Sequence, residues 1–202
     1  MLSPKSVLIT GSNRGIGLEF VRQFLKFVDP PKYILACCRF PEKASKLTEI
    51  AQTSPYVHVI KLDAADQRSM KNAKAVVASV VEDNGINLLI NNAGIYRADA
   101  DIYNTSWEEM RRNFDVNAIG PLMISRAAQN MITLCLSVDL KADGILCAAV
   151  HPGWVKTNMG GPNAKISAEE SVSGVFTILR KLQGEEKSGK YYDSTTGKVF
   201  GW

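Results

Sequence analysis

Long apolar runs are missing from this 202-residue sequence. Stretches such as Leu88–Ile90 fall far short of the roughly 20 residues that a membrane helix requires, so no membrane association is expected. Histidine is scarce: His58 and His151 are the only two, too few for a convincing metal site. The four cysteines (Cys37, Cys38, Cys135 and Cys147) lack the spacing of metal ligands. The opening Met1–Thr10 has no basic-then-apolar signal layout, so a cytoplasmic protein with free, mostly buried thiols is expected. Concentrated charge of one sign is absent too. Lysine and arginine exceed aspartate and glutamate only by 24 to 20, for a net charge of +4. They are interleaved with acids, as in Glu108-Glu109-Met110-Arg111-Arg112. A nucleic-acid surface needs a basic face with stacking aromatics, and none is present. Repeats, low-complexity tracts and linkers are also lacking, so residues 1–202 are expected to form a single domain. What the chain does have is apolar residues in plenty, 46%, against 22% charged. That excludes a disordered or fibrous protein.

The order of elements is strand, helix, strand, helix. Ser6–Thr10 reads as a buried strand and Gly11–Gly17 as a tight glycine turn. A helix follows, with Ile16, Phe20, Val21, Phe24, Leu25 and Val28 on one stripe, stopped by Asp29-Pro30-Pro31. Strands are expected at Tyr33–Cys38, Val57–Leu62, Ile86–Ile90, Ile145–Val150 and Lys190–Asp193. Helices are expected at Pro41–Ala51, Ser69–Glu82 and, opened by a Ser167–Glu170 capping box, to about Leu182. Apolar strands alternating with helices define an α/β protein: a Rossmann-like, doubly wound parallel sheet with helices on both faces. Trp107–Lys141, with Thr105 and Glu108 at its start, is helix-compatible throughout. Such a helix would be about 50 Å long, more than the width of a domain of this size. A bend is therefore expected at Gly120-Pro121 and near Arg126–Gln129.

The chemistry gathers at the carboxyl ends of the strands. Gly11, Ser12, Asn13, Arg14, Gly15, Ile16 and Gly17 join the first strand to the first helix. Backbone without Cβ atoms and free N–H groups at a helix start suit a dinucleotide pyrophosphate. Arg39 follows the second strand, where an acid would bind a ribose 2′-hydroxyl. A guanidinium suits a 2′-phosphate instead, and Arg14 could reach the same group, so NADP (NADPH) is the expected cofactor. Asp63 closes the third strand and would accept from an adenine amine or cap the next helix. Asn91, Ala93 and Gly94 end the fourth.

Together Thr10–Gly17, Asp63, Asn91–Gly94, Asn117 and the run Pro152-Gly153-Trp154-Val155-Lys156-Thr157 resemble the short-chain dehydrogenase/reductase family. His151–Gly161 and Val138–Lys141 resemble its sniffer-type carbonyl reductases in particular. The resemblance implies hydride transfer between NADPH and a small-molecule carbonyl substrate. It also implies a cofactor lined by Asn91, Ala93 and Gly94, with Pro152, Gly153 and Thr157 at its nicotinamide end. Asn117 would be a catalytic residue, holding a water linked to a lysine. A homodimer through two long helices is implied as well.

That lysine is missing. The family's Tyr-x-x-x-Lys does not occur: the residues four positions beyond Tyr33, Tyr56, Tyr96, Tyr103, Tyr191 and Tyr192 are Cys37, Ile60, Ala100, Trp107, Thr195 and Thr196. Only residues 118–144 separate Asn117 from Ile145, too few for the helix, serine-bearing strand and second helix of the family. Six strands are expected instead of seven, with a join near Arg126-Ala127-Ala128 and an altered dimer surface. Direct pairing of the Ile145 strand with the fourth strand is the expected closure. The implied activity is that of an NADP-dependent carbonyl reductase. The alternative is a catalytically inactive NADP-binding or interaction protein, such as a splice or misjoined variant.

Overall fold

The computed structural model describes residues 3–96, 105–127, 133, 137–138 and 140–200. They fall into two compact units, Ser3–Ala127 and a second built from residues 128–202.

In the first unit, β1 (Ser6–Thr10), β2 (Tyr33–Cys38), β3 (Val57–Lys61) and β4 (Leu88–Ile90) form a parallel sheet in the order β3-β2-β1-β4. Strand alternation sorts the side chains by face. Leu8, Leu35, Cys37 and Ile60 turn one way, into a core shared with α3 (Gln67–Val81) and with Val116 and Ile124 further along the chain. The other face is covered by α1 (Gly15–Leu25), which contacts β1 and β2, and α2 (Ser45–Thr53), which contacts β3. Phe24, Val21 and Leu47 are fully buried there. Each such side chain contributes about 1.5–3 kcal/mol by leaving water. Helices on both faces follow directly from strands apolar on both faces.

Local details differ from the sequence expectations for identifiable reasons. α1 ends at Leu25, so Val28 lies beyond the helix and is 98% exposed. A 3₁₀ turn over Pro41–Lys43 precedes α2. Asp66 caps α3, accepting from the N–H groups of Arg68 and Ser69, so Asp63 does not. β4 has only three residues and starts two later than expected.

α4 (Trp107–Phe114) opens at Ser106, not Thr105, with a capping box closed by Glu109. It runs through a π-helical turn, Asp115–Ile119, into α5 (Gly120–Ala127). The expected bend is thus realised as a widened turn just before Pro121. Proline has no N–H to give the α-helical ladder, and the extra residue absorbs its ring. Gly120 lies against the Ala64 carbonyl, at a distance that no Cβ could tolerate. The second expected break, near Arg126–Gln129, and the body of the Ala127–Lys141 helix lie largely outside the described residues.

In the second unit, β5 (Ala148–His151) pairs in parallel with β6 (Lys190–Asp193), which pairs antiparallel with β7 (Val199–Phe200). α6 (Ala168–Lys181) opens at the Ser167–Glu170 capping box, as the sequence indicates. Gly174 of α6 packs on the Ser194 carbonyl with no room for a Cβ.

The expected pairing of the Ile145 strand with β4 does not occur. Among the described residues β4 is bonded only to β1 and β5 only to β6. The backbone beyond Ile90 is bonded to the end of β1, Asn92 N–H donating to Thr10 Oγ1. β5 is meanwhile locked to β6 at both ends, by Gly189 N–H to the Cys147 carbonyl and Ser194 N–H to the His151 carbonyl.

Candidate functional site

The first unit gathers its chemistry where β1 and β4 end. Thr10 Oγ1 accepts from the backbone N–H groups of Asn92, at 3.0 Å, and Ala93, at 2.9 Å. The Asn92 side chain donates back to the carbonyls of Thr10, at 2.8 Å, and Gly11, at 3.3 Å. These bonds lock the two strand ends edge to edge. Gly11 has φ +69°, and a Cβ there would sit 2.9 Å from the Ala93 Cα. At Gly17 a Cβ would collide with the Gly11 carbonyl and the Asn92 amide. Both glycines are therefore required by close approach of backbone to backbone.

This packing leaves the start of α1 open. Its N-cap residue, Arg14, is extended and offers no side-chain cap, and no acid lies in the first turn. Among the described residues, the N–H groups of Gly15, Ile16 and Gly17 have no protein acceptor. A helix start with unsatisfied N–H groups and a positive dipole end suits an anion. Asn13 and Arg14 are exposed beside it. Ser12 faces the other way: it is fully buried, its hydroxyl bonded to the Ile9 carbonyl and its N–H to that of Cys37. Ser12 shapes the turn from beneath and presents no group to a ligand.

Arg39 follows β2, half-buried, with its guanidinium 4.6 Å from the centre of the Phe40 ring. Asp63 is half-buried; its Oδ1 accepts from Ala65 N–H at 3.0 Å, which leaves Oδ2 without a protein partner. Asn91 and Gly94 are exposed at the sheet edge and Ala93 is half-buried. Asn117, on the π-helical turn, spends its carboxamide on Ile95, donating to its carbonyl and accepting from its N–H. In this unit it is a clasp holding the segment after β4.

Pro152, Gly153 and Thr157 belong to the second unit. The Pro152 carbonyl accepts from Ser171 Oγ at 2.7 Å, tying the loop to α6. Gly153 has φ +82° and is pressed by the side chains of Ile166 and Thr195. Thr157 Oγ1 accepts from Gly160 N–H at 3.2 Å. A bridge between Val155 and Ile166 folds this loop on itself.

Sequence reasoning passed over Thr10 and Asn92 as site-shaping residues. A threonine ending an apolar strand, and a second asparagine beside Asn91, were the signals. Among the described residues no group of three His, Cys, Asp or Glu side chains could hold a metal ion. No helix among them is long and apolar enough to cross a membrane.

The fold, with its glycine-rich first strand-to-helix turn, defines a Rossmann-like α/β protein. The chain belongs to the short chain dehydrogenase family, whose profile matches residues 5–132. It is an oxidoreductase-family member similar in structure to NADPH carbonyl reductases. The NADPH-bound carbonyl reductase from chicken fatty liver is 33% identical, with a TM-score of 0.92 over 100% of both chains. The carbonyl reductase Sniffer of D. melanogaster is 28% identical, with a TM-score of 0.91 over 98% of this chain and 99% of that one.

Among curated proteins, an uncharacterized oxidoreductase of Schizosaccharomyces pombe is 26% identical over 242 positions, covering 92% of this chain and 93% of that one. Ninety-two per cent of 202 residues is about 186, so about 56 of the 242 positions have no residue of this chain opposite them. A short-chain dehydrogenase of Penicillium roqueforti, 27% identical over 253 positions and 97% of each chain, leaves about 57 such positions by the same reckoning.

Proposed function

We propose that this chain binds NADP(H) through its Ser3–Ala127 unit and is not a competent carbonyl reductase. The observation that carries the binding half is the uncapped start of α1, held open by the Gly17–Gly11 contact, with Arg14 exposed beside it. Gly15, Ile16 and Gly17 would hold the pyrophosphate, Arg14 and Arg39 a 2′-phosphate, and Asp63 Oδ2 the adenine amine. When bound, the cofactor supplies a hydride. Cations without a carboxylate partner at the end of β2 favour NADP over NAD.

The catalytic half rests on the sequence. None of the six tyrosines is followed four residues on by lysine. A surplus of about 56 aligned positions in each of two relatives supports the loss of a segment from this chain. General-acid help of typically 10²–10⁴-fold goes with the tyrosine. Asn117, engaged with Ile95, has no lysine to serve.

The experiment is nucleotide binding by fluorescence beside NADPH oxidation with quinones and aldehydes. Binding of NADPH with turnover at least 100-fold below an intact carbonyl reductase is expected. Turnover equal to that enzyme overturns the catalytic half. Equal affinity for NADPH and NADH, or an unchanged preference in Arg39→Asp, overturns the cofactor assignment.

A further inference from the structure

Phe40 is a large aromatic residue with no place in the core: it is 42% exposed at the end of β2. Its backbone is nevertheless pinned. The Phe40 carbonyl accepts from Lys43 N–H at 3.0 Å, and Cys38 receives a backbone hydrogen bond from Phe40. Two cations lie against the ring. The Arg39 guanidinium is 4.6 Å from its centre and the Lys43 ammonium 5.2 Å. Neither makes an ion pair among the described residues, so the ring is what holds them. Like charges gathered on one ring repel each other, and a dianion between them would relieve that repulsion. A phosphomonoester carries nearly two negative charges near neutral pH.

We infer that Phe40 is a positioning residue that carries Arg39 and Lys43 together as a two-cation platform for the 2′-phosphate of the dinucleotide. The inference rests on the NADP(H) reading above and adds Phe40 and Lys43 to it. A flexible arginine must give up rotamer freedom to grip a phosphate. A ring that already holds the guanidinium reduces that cost and sharpens the preference for the phosphorylated nucleotide. Lys43, one 3₁₀ turn beyond Phe40, brings a second charge that a lone arginine at the strand end would lack.

The test is titration of NADPH and NADH against the unaltered chain, F40L, F40Y, R39A and the F40L/R39A double variant. Circular dichroism and a thermal melt confirm that each is folded; the exposure of Phe40 makes it a mild site to change. F40L is expected to lower the NADPH-to-NADH affinity ratio by about two- to fivefold, the range of an exposed cation–π contact. F40Y should restore the ratio. In the R39A background F40L should cost less than it does alone, because the two residues act as one unit.

Lack of NADPH preference in the unaltered chain overturns the dinucleotide reading and this inference with it. A clear preference that F40L leaves intact overturns this inference alone. Equal loss of both nucleotides in F40L would place the ring beneath the adenine and overturn it as well.

Discussion

Asn117 and Ile95 exchange two hydrogen bonds, each 2.8 Å long: the side-chain amide donates to the Ile95 carbonyl and its oxygen accepts from the Ile95 N–H. A side chain here does what a neighbouring strand would do for backbone. The π-helical turn at Asp115–Ile119 carries it, and the two bonds hold the segment after β4 beside that turn. Asn117→Ala should cost about 1–2 kcal/mol in urea unfolding, the net value of one or two such bonds. It should also speed hydrogen exchange at the Ile95 amide. Unchanged exchange would show that the clasp does not hold in solution.

Thr10→Val removes the acceptor of the Asn92 and Ala93 N–H groups while keeping the shape of the side chain. Two N–H groups are left without a partner, so a loss of about 1–3 kcal/mol in stability is expected. Thr10→Ser, which keeps the hydroxyl, should recover most of it. Equal stability of the valine and serine variants would contradict this.

Gly17→Ala should abolish nucleotide binding. A Cβ at that position overlaps the Gly11 carbonyl, which belongs to backbone and cannot step aside without moving the turn. Gly120→Ala meets the same obstacle at the Ala64 carbonyl but far from the glycine turn in sequence. It should therefore lower stability, by about 1–3 kcal/mol, more than it weakens binding. Titration of both variants with NADPH beside thermal melts separates the two effects.

Acid should loosen the second unit. Hydrogen bonds from Thr196 and Thr195 hold the Asp193 carboxyl below its ordinary value of 3.8, and the capping box at Ser167 holds Glu170 below 4.5. Both folded values lie beneath the unfolded ones. Their contribution is therefore complete above the unfolded values and is lost as pH falls through the folded ones. Asp193→Asn should flatten the decline in stability between about pH 4 and pH 2, followed by circular dichroism. A decline as steep as in the unaltered chain would remove Asp193 from this account.

Thiol labelling should discriminate among the cysteines. Burial pushes the Cys37 thiol well above its ordinary range; it raises Cys147 too, but Cys147 is only partly buried and open to reagent. Iodoacetamide at pH 8 should modify Cys147 in the folded chain and leave Cys37 untouched until urea is added. Mass spectrometry of the labelled peptides reads this directly, and early labelling of Cys37 would count against the buried strand.

Much of the first unit was legible in the residues themselves. The strands Ser6–Thr10 and Tyr33–Cys38 match their expected bounds because they are apolar on both faces and flanked by glycine or proline. The Ser167–Glu170 box opens α6 because capping is a contact between near neighbours in sequence. The glycine turn and the arginines at 14 and 39 were visible for the same reason: each depends on residue type at a short spacing.

Other features depended on contacts that sequence does not encode locally. Asn92 reaches Thr10 from 82 residues away, and nothing in either segment names the other. The bend expected at Gly120-Pro121 became a π-helical turn at 115–119, beside a close approach of Gly120 to Ala64 that neither segment announces in its sequence. Periodicity and residue identity suffice for the parallel α/β class, the glycine turn after β1 and the lack of a Tyr-x-x-x-Lys. Strand pairing is a competition between distant partners, so the separate sheets of β4 and β5 emerge only on folding, as does the gathering of Arg39 and Lys43 onto the Phe40 ring, where the pinned backbone sets side-chain direction.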